Sequence, residues 1–303
     1  MGDLATCFCA DTVLLEVCCA QLTETPISPP GEPVGCDGID GVLATAALVD
    51  SLLVPAVREL HRSLTDHVGR LSELLELLPY LHVPGPPSAS AQIHATLREA
   101  LRGDHAQQLN LREIRTDLRR ATLRLTTPSS PERGGEMLQS LSDCRAELRA
   151  CAAEPQRQPR LRVAWVFERT PDGGRCHHPS LTLLPPSIAP FVARRPVEGG
   201  CQHTPVPVRW VSEVVASLKQ TLAWLDADVV ALEAAWVSSA AELKASIAAI
   251  DWSPSDRLRA NTQLQQQLSE AVQSLSSCTR AFRWLLHFDA LALIHPLPAT
   301  ARG

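Results

Sequence analysis

The chain has 303 residues, 45% apolar and 20% charged, with a formal net charge of −5. That is long enough for one large or two modest domains, and too near neutrality for a dedicated nucleic-acid binder or a membrane-surface polycation. With 4% aromatic residues and 15 Gly against 24 Pro, glycine-rich phosphate loops and aromatic-lined pockets have little to be built from.

Residues 1–40 form the first segment, expected as a short helix and a Pro/Gly linker. Met1 to Thr6 fits the M-G-x-x-x-[ST] pattern for myristoylation of Gly2, and Cys7 and Cys9 follow at once. One myristoyl chain anchors only marginally, so a stable attachment would need Gly2 together with Cys7 or Cys9. The competing and plainer reading takes Leu4, Cys7, Phe8, Val13, Leu14, Val17 and Cys18 as one apolar helix face. Asp3, Asp11 and Glu16 stand where a secretory leader would be basic, and ten Cys in a chain this long do not demand disulfides. The expected setting is the reduced cytoplasm, cytoskeleton-associated or nuclear. No run reaches the ~18–20 apolar residues of a membrane span.

Residues 41–152 are expected to be helical. Leu53, Val57, Leu60, Leu64, His67, Leu71, Leu74 and Leu78 step by four and three, the spacing of a coiled-coil-like seam. Pro55 fits the first turn of a helix beginning near Leu53, and His67 is expected at the edge of the seam. A second helix, from about Ser90 to Leu125, has a break near Gly103; a third runs from Glu136 to Cys151 with Met137, Leu141, Cys144, Leu148 and Cys151 on one face.

Residues 153–207 hold ten of the 24 prolines, which excludes a long helix. Leu161, Val163, Trp165 and Phe167 alternate with other residues as a half-buried strand does, and Pro171-Asp172-Gly173-Gly174 offers turn chemistry before a returning strand over Ser180 to Leu184. A small β-hairpin in a Pro-rich insert is the expectation.

Residues 208–295 are expected as a helical hairpin, followed by a tail over 296–303. Val211, Val215, Leu218, Leu222, Leu225, Val229, Leu232 and Trp236 make the first seam, and Ser253-Pro254-Ser255-Asp256 marks a stop and a new start. Leu264, Leu268, Ala271, Leu275, Cys278, Phe282 and Leu285 carry the last helix. Five of the six Trp lie in this half, which marks it as the main bundle.

Two patterns invite chemistry. Cys176 and His178, then Cys201 and His203 after a gap of 22 residues, could satisfy tetrahedral zinc, although neither pair has the usual finger spacing. Surface loop residues are the simpler account, so no cofactor is expected beyond that zinc. The other pattern is charge. Of the 28 basic residues only Lys219 and Lys244 are Lys. Arg98, Arg102, Arg112, Arg115, Arg119, Arg120 and Arg124 make the second helix basic, whereas Glu213, Asp226, Asp228, Glu233, Glu242 and Asp251 make the long C-terminal helix acidic. Helices of opposite sign can pair with each other or face separate partners, and a solvated face is the plainer alternative. Asp226 and Asp228, two apart, point to different faces.

No nucleophile elbow, H-E-x-x-H or Walker glycine loop occurs, so no catalytic residues are assigned. The fold class expected is mainly α: long helices with heptad-like seams in hairpins or a bundle, plus the small β insert. The function expected is a non-catalytic structural subunit, scaffold or adaptor of a eukaryotic multiprotein complex. Cytoskeletal, centrosomal, kinetochore-like and tethering assemblies are not distinguished. Leu53, Val57, Leu60, Leu64, Leu71, Leu74, Val215, Leu218, Leu222, Leu225, Val229, Leu232 and Trp236 would be the seams that bind helices of other subunits in a hetero-oligomer. The alternatives are a membrane-peripheral adaptor anchored by N-terminal acylation and a zinc-stabilised regulatory module.

Overall fold

The structure is a computed structural model; it describes residues 1–23, 45–79, 104–125, 134–169, 175–183, 208–248, 257–290 and 293. Among these the chain is mostly helical. Six long α-helices form a bundle: α1 (Gly2–Thr23), α2 (Val54–Leu77), α3 (Asp104–Arg124), α4 (Gly134–Ala153), α5 (Val208–Ala248) and α6 (Arg257–His287). Between α4 and α5, strands β1 (Leu161–Arg169) and β2 (Arg175–Leu183) pair antiparallel, with Leu161 opposite Leu183 and Val166 opposite His178.

Helix α2 starts where its sequence requires. Pro55 lacks an N–H and tolerates only the first turn, and the chain enters through one π turn, Val49–Leu53, before regular helix begins at Val54. Every fourth or third residue from Leu53 to Leu78 is then buried. At the far end, Asn261 of α6 donates its side-chain amide to the Leu78 carbonyl at 3.0 Å, capping an acceptor that the helix itself leaves open. His67 departs from expectation. It is buried rather than at the edge, with its ring 6.2 Å from that of Trp236 on α5.

Helix α5 is a single 41-residue helix, about 60 Å long at 1.5 Å per residue. A helix of that length needs packing along much of its course, and α1, α2 and α3 supply it with α4 and α6. The N-terminal and C-terminal helical regions drawn from the sequence are therefore interleaved. Helix α2 packs on α6, α3 packs on α5, and α1 lies among α4, α5 and α6.

The position of α1 is the largest correction to the sequence reading. Every residue from Phe8 to Leu15 has no exposed surface. A search for one apolar face undersold this helix, because its apolar residues occupy all faces, the pattern of a helix at the centre of a core. Phe8 meets Phe282 of α6 edge to face, with ring centroids 6.2 Å apart.

Candidate functional site

Three constellations stand out from the apolar packing. The first is a charge cluster in the middle of the bundle, where Asp11 of α1 is fully buried. Arg145 of α4 donates to it in a fork, Nε to Oδ1 at 2.6 Å and Nη2 to Oδ2 at 2.5 Å. The same Nη2 lies 3.4 Å from Asp228 Oδ2 of α5, and Arg149 approaches that oxygen at 3.9 Å. The guanidinium also covers the Trp224 ring at 4.3 Å, a cation–π contact. Two arginines thus balance two carboxylates where the chain could least tolerate an isolated charge.

Burial is the largest influence on Asp11. It outweighs the opposing pull of Arg145, the Asp228 carboxylate pushes the same way as burial, and the carboxyl rises to about 7. Cys7 lies beside this cluster, and burial is likewise the main cause that raises its thiol. The cluster joins three helices, α1, α4 and α5, through charge.

The second constellation is Glu147, a buried carboxylate on α4 that holds the approach to β1. Arg157 and Arg160 each donate to it at 2.8 Å, and the Arg160 backbone N–H adds a bond at 3.2 Å. The side-chain bond from Arg160 is the largest cause that lowers its pKa. This single side chain ties the turn after α4 to the start of the strand pair.

The third constellation is α5, whose two faces differ. Inward lie Leu218, Leu222, Leu225, Val229, Leu232 and Trp236, all buried. Outward lie Ala223, Ala227, Val230, Ala234, Val237 and Ala241, all exposed and again spaced by four and three. Val230 and Val237 are two of the three large apolar residues exposed among the described residues. One flank is charged and already paired: Arg112 of α3 reaches Glu233 at 2.9 Å, and Arg115 and Arg119 approach Asp226 at 3.3 and 3.4 Å. The opposite-sign helices seen in the sequence therefore pair with each other. Asp226 faces α3 and Asp228 faces α4, on different sides of the helix as their spacing requires. The outward stripe escaped the sequence reading because Ala is at home on any solvated helix face. Its signal was the regular absence of charge at those positions.

The residues singled out in the sequence fall as follows. Leu53, Val57, Leu60, Leu64, Leu71 and Leu74 of the first seam, and Val215, Leu218, Leu222, Leu225, Val229, Leu232 and Trp236 of the second, are all buried within this chain. Expected as surfaces for other subunits, they are instead covered by the chain's own helices. The physical reason is that six helices in one chain suffice to satisfy one another's seams. Gly2 and Cys9, expected as lipidation positions, are packed into the bundle: a Cβ on Gly2 would stand 2.8 Å from Ser277 Cβ, and Cys9 has no exposed surface. Cys7 is half-buried. An acyl chain on Cys9 would have to displace the α1–α6 contact. Of the zinc candidates, Cys176 and His178 fall in β2 opposite Glu168 and Val166, while Cys201 and His203 lie outside the described residues. Among the described residues no group of three or more His, Cys, Asp or Glu is arranged to hold a metal ion. Nor is any of the described helices long and apolar enough to cross a membrane.

No protein-family model and no curated protein matches the chain. Among solved structures it resembles soluble SmhA, of the tripartite α-pore-forming toxin Smh from Serratia marcescens, with a TM-score of 0.58 over 93% of each chain. Sequence identity is 9%, so what the two share is the fold, a helical bundle.

Proposed function

We propose that this chain is a non-catalytic helical-bundle subunit of a multiprotein assembly, and that the outward stripe of α5 receives a helix from another protein chain. The observation that carries this reading is the stripe itself. From Ala223 to Ala241, about 27 Å of exposed helix carries only Ala and Val at seam spacing. Small side chains let a second helix come close, and the two valines gain most from being covered. The reading keeps helix–helix pairing as the mode of action and moves it from the buried seams to this face.

A second reading draws on the structural neighbour, a component of a tripartite toxin. In it the bundle is a stored form of a chain that acts on membranes together with other proteins. The feature that favours it is α1, apolar on all sides and enclosed by the other helices.

Affinity purification of the tagged chain from its own cells separates these readings, with Val230→Glu/Val237→Glu as the control. Both substitutions are at exposed positions, so the bundle should persist. A fixed set of protein chains retained by the wild type and lost from the double variant supports the first reading. Identical retention by both proteins overturns it. Dye leakage from vesicles only when retained partners are added back, undiminished in the variant, would favour the second.

A further inference from the structure

The outward face of α5 has an internal order of size. Ala223, Val230 and Val237 are seven residues apart, as are Ala227, Ala234 and Ala241, and all six are exposed. Residues seven apart repeat one seat on a helix face. One seat therefore carries both valines, and the other carries only alanine.

The six positions step 4-3-4-3-4 in either direction along the chain, with Leu232 at their midpoint. Two copies of the face laid antiparallel about that midpoint bring Val230 opposite Ala234, Val237 opposite Ala227 and Ala223 opposite Ala241. Each valine then meets an alanine, and the layers keep nearly one width. A parallel pair instead sets Val230 on Val230 and Ala234 on Ala234, alternating wide and narrow layers that two straight helices fill poorly.

Charge beside the face follows the same symmetry. Glu233 is three residues from Val230 and four from Val237, so it borders the face directly. Arg112 of α3 reaches it on that flank, Nε to Oε1 at 2.9 Å, yet the arginine side chain is still 67% exposed. Glu233 also lies one residue from the midpoint, about 1.5 Å along the helix.

On the reading of this face as a docking surface, we propose that its occupant is a second copy of the chain, antiparallel and related by a two-fold axis at the level of Leu232. Such an axis keeps like flanks together. Arg112 and Glu233 of one copy come beside Arg112 and Glu233 of the other, and each guanidinium gains a second carboxylate. Two acids and two bases alternate around the axis, so the flank is complementary to itself in charge as the face is in size. The face is about 27 Å long on a helix about 10 Å across, a small contact beside that of a permanent dimer. The pair therefore forms with concentration and parts on dilution.

The test is sedimentation of the purified full chain over a range of concentrations, with Val237→Glu, Ala227→Lys and Val237→Lys, all at exposed positions. The wild type is expected to double its sedimenting mass as concentration rises, and each variant alone to stay monomeric. Mixing Val237→Glu with Ala227→Lys should restore the dimer, since the antiparallel register sets the new charges face to face. Mixing Val237→Glu with Val237→Lys should not, because that register leaves them about 15 Å apart. Variants that dimerise like the wild type, or restoration by the second mixture instead of the first, would overturn the proposal. A wild type monomeric at every concentration, yet retaining a different protein that Val230→Glu/Val237→Glu loses, overturns the second copy and keeps the docking face. A monomer that retains nothing overturns both.

Discussion

Helices α1 and α5 are both rich in apolar residues, and the bundle uses them in opposite ways. Helix α1 has no polar side to turn outward and is enclosed, so its one central charge, Asp11, has to be answered inside by Arg145. Helix α5 turns Leu218, Leu222, Leu225, Leu232 and Trp236 inward and a line of Ala and Val outward, and Asp226 and Asp228 sit on its flanks, where α3 and α4 meet them. Apolar content alone does not decide where a helix lies. The distribution of size and charge around its axis does.

The strongest way to break this contrast is to strip α1 of its counter-charge. Arg145→Ala leaves a fully buried carboxyl beside the Asp228 carboxylate, and should cost about 3–5 kcal/mol in denaturant unfolding. Adding Asp11→Asn should restore a substantial part of the loss, as coupled neighbours do. A single-variant loss below about 1 kcal/mol would show that the cluster is not what holds α1.

On α5 the same logic separates the two faces. Leu222→Ala, at a fully buried position, should cost about 2–5 kcal/mol. Val237→Ala on the outward face should stay within about 0.5 kcal/mol in the isolated chain. Comparable losses at both positions would abolish the distinction between the faces.

The titration of Asp11 gives a sharper reading of the core. Its carboxyl stands at about 7 in the folded chain against an ordinary 3.8, so between these values the folded state binds more protons than the unfolded one. Stability from this group is greatest below about pH 4 and falls as pH rises toward 7, by up to about 1.4 kcal/mol per pH unit. Subtracting the pH profile of Asp11→Asn from that of the wild type should isolate this downward slope. Glu147 behaves in the opposite sense. Its folded pKa is lowered, so its contribution is present above its ordinary value of 4.5 and is lost as pH falls below it. Glu147→Gln should remove that acid loss and loosen the start of β1, visible as faster amide exchange at Leu161 and Arg162.

The smallest effect is expected between α3 and α5. Arg112→Ala and Arg119→Ala remove ion pairs whose arginines are more than half exposed, and each should change stability by less than about 1 kcal/mol, less still in high salt.

Much of the helical fold was legible in the sequence because its signals were large and local. The seam from Leu53 to Leu78 steps by four and three without a miss, with His67 its one polar member, and Pro55 marks where regular helix can begin. The α3–α5 ion pairs were legible as opposite charge on two helices. The Asp11–Arg145 fork was not, since its members are 134 residues apart and neither carries a local signature. The centrality of α1 was missed because periodicity finds a face, and a helix buried on all sides has none. The outward stripe was missed for a related reason: Ala223, Ala227, Ala234 and Ala241 individually suit a solvated helix, and only their alignment with Val230 and Val237 on one exposed line reveals a surface.

The claim that this line is where the chain meets its partner can be tested at a single residue. A photoreactive side chain in place of Ala234 would be activated in native extract and compared with the same group in place of Thr116, exposed on α3 outside the stripe. Adducts of one or a few discrete masses at Ala234, absent at Thr116, are the result predicted. Equal labelling at both positions, or none at Ala234 under conditions where assemblies persist, would contradict it.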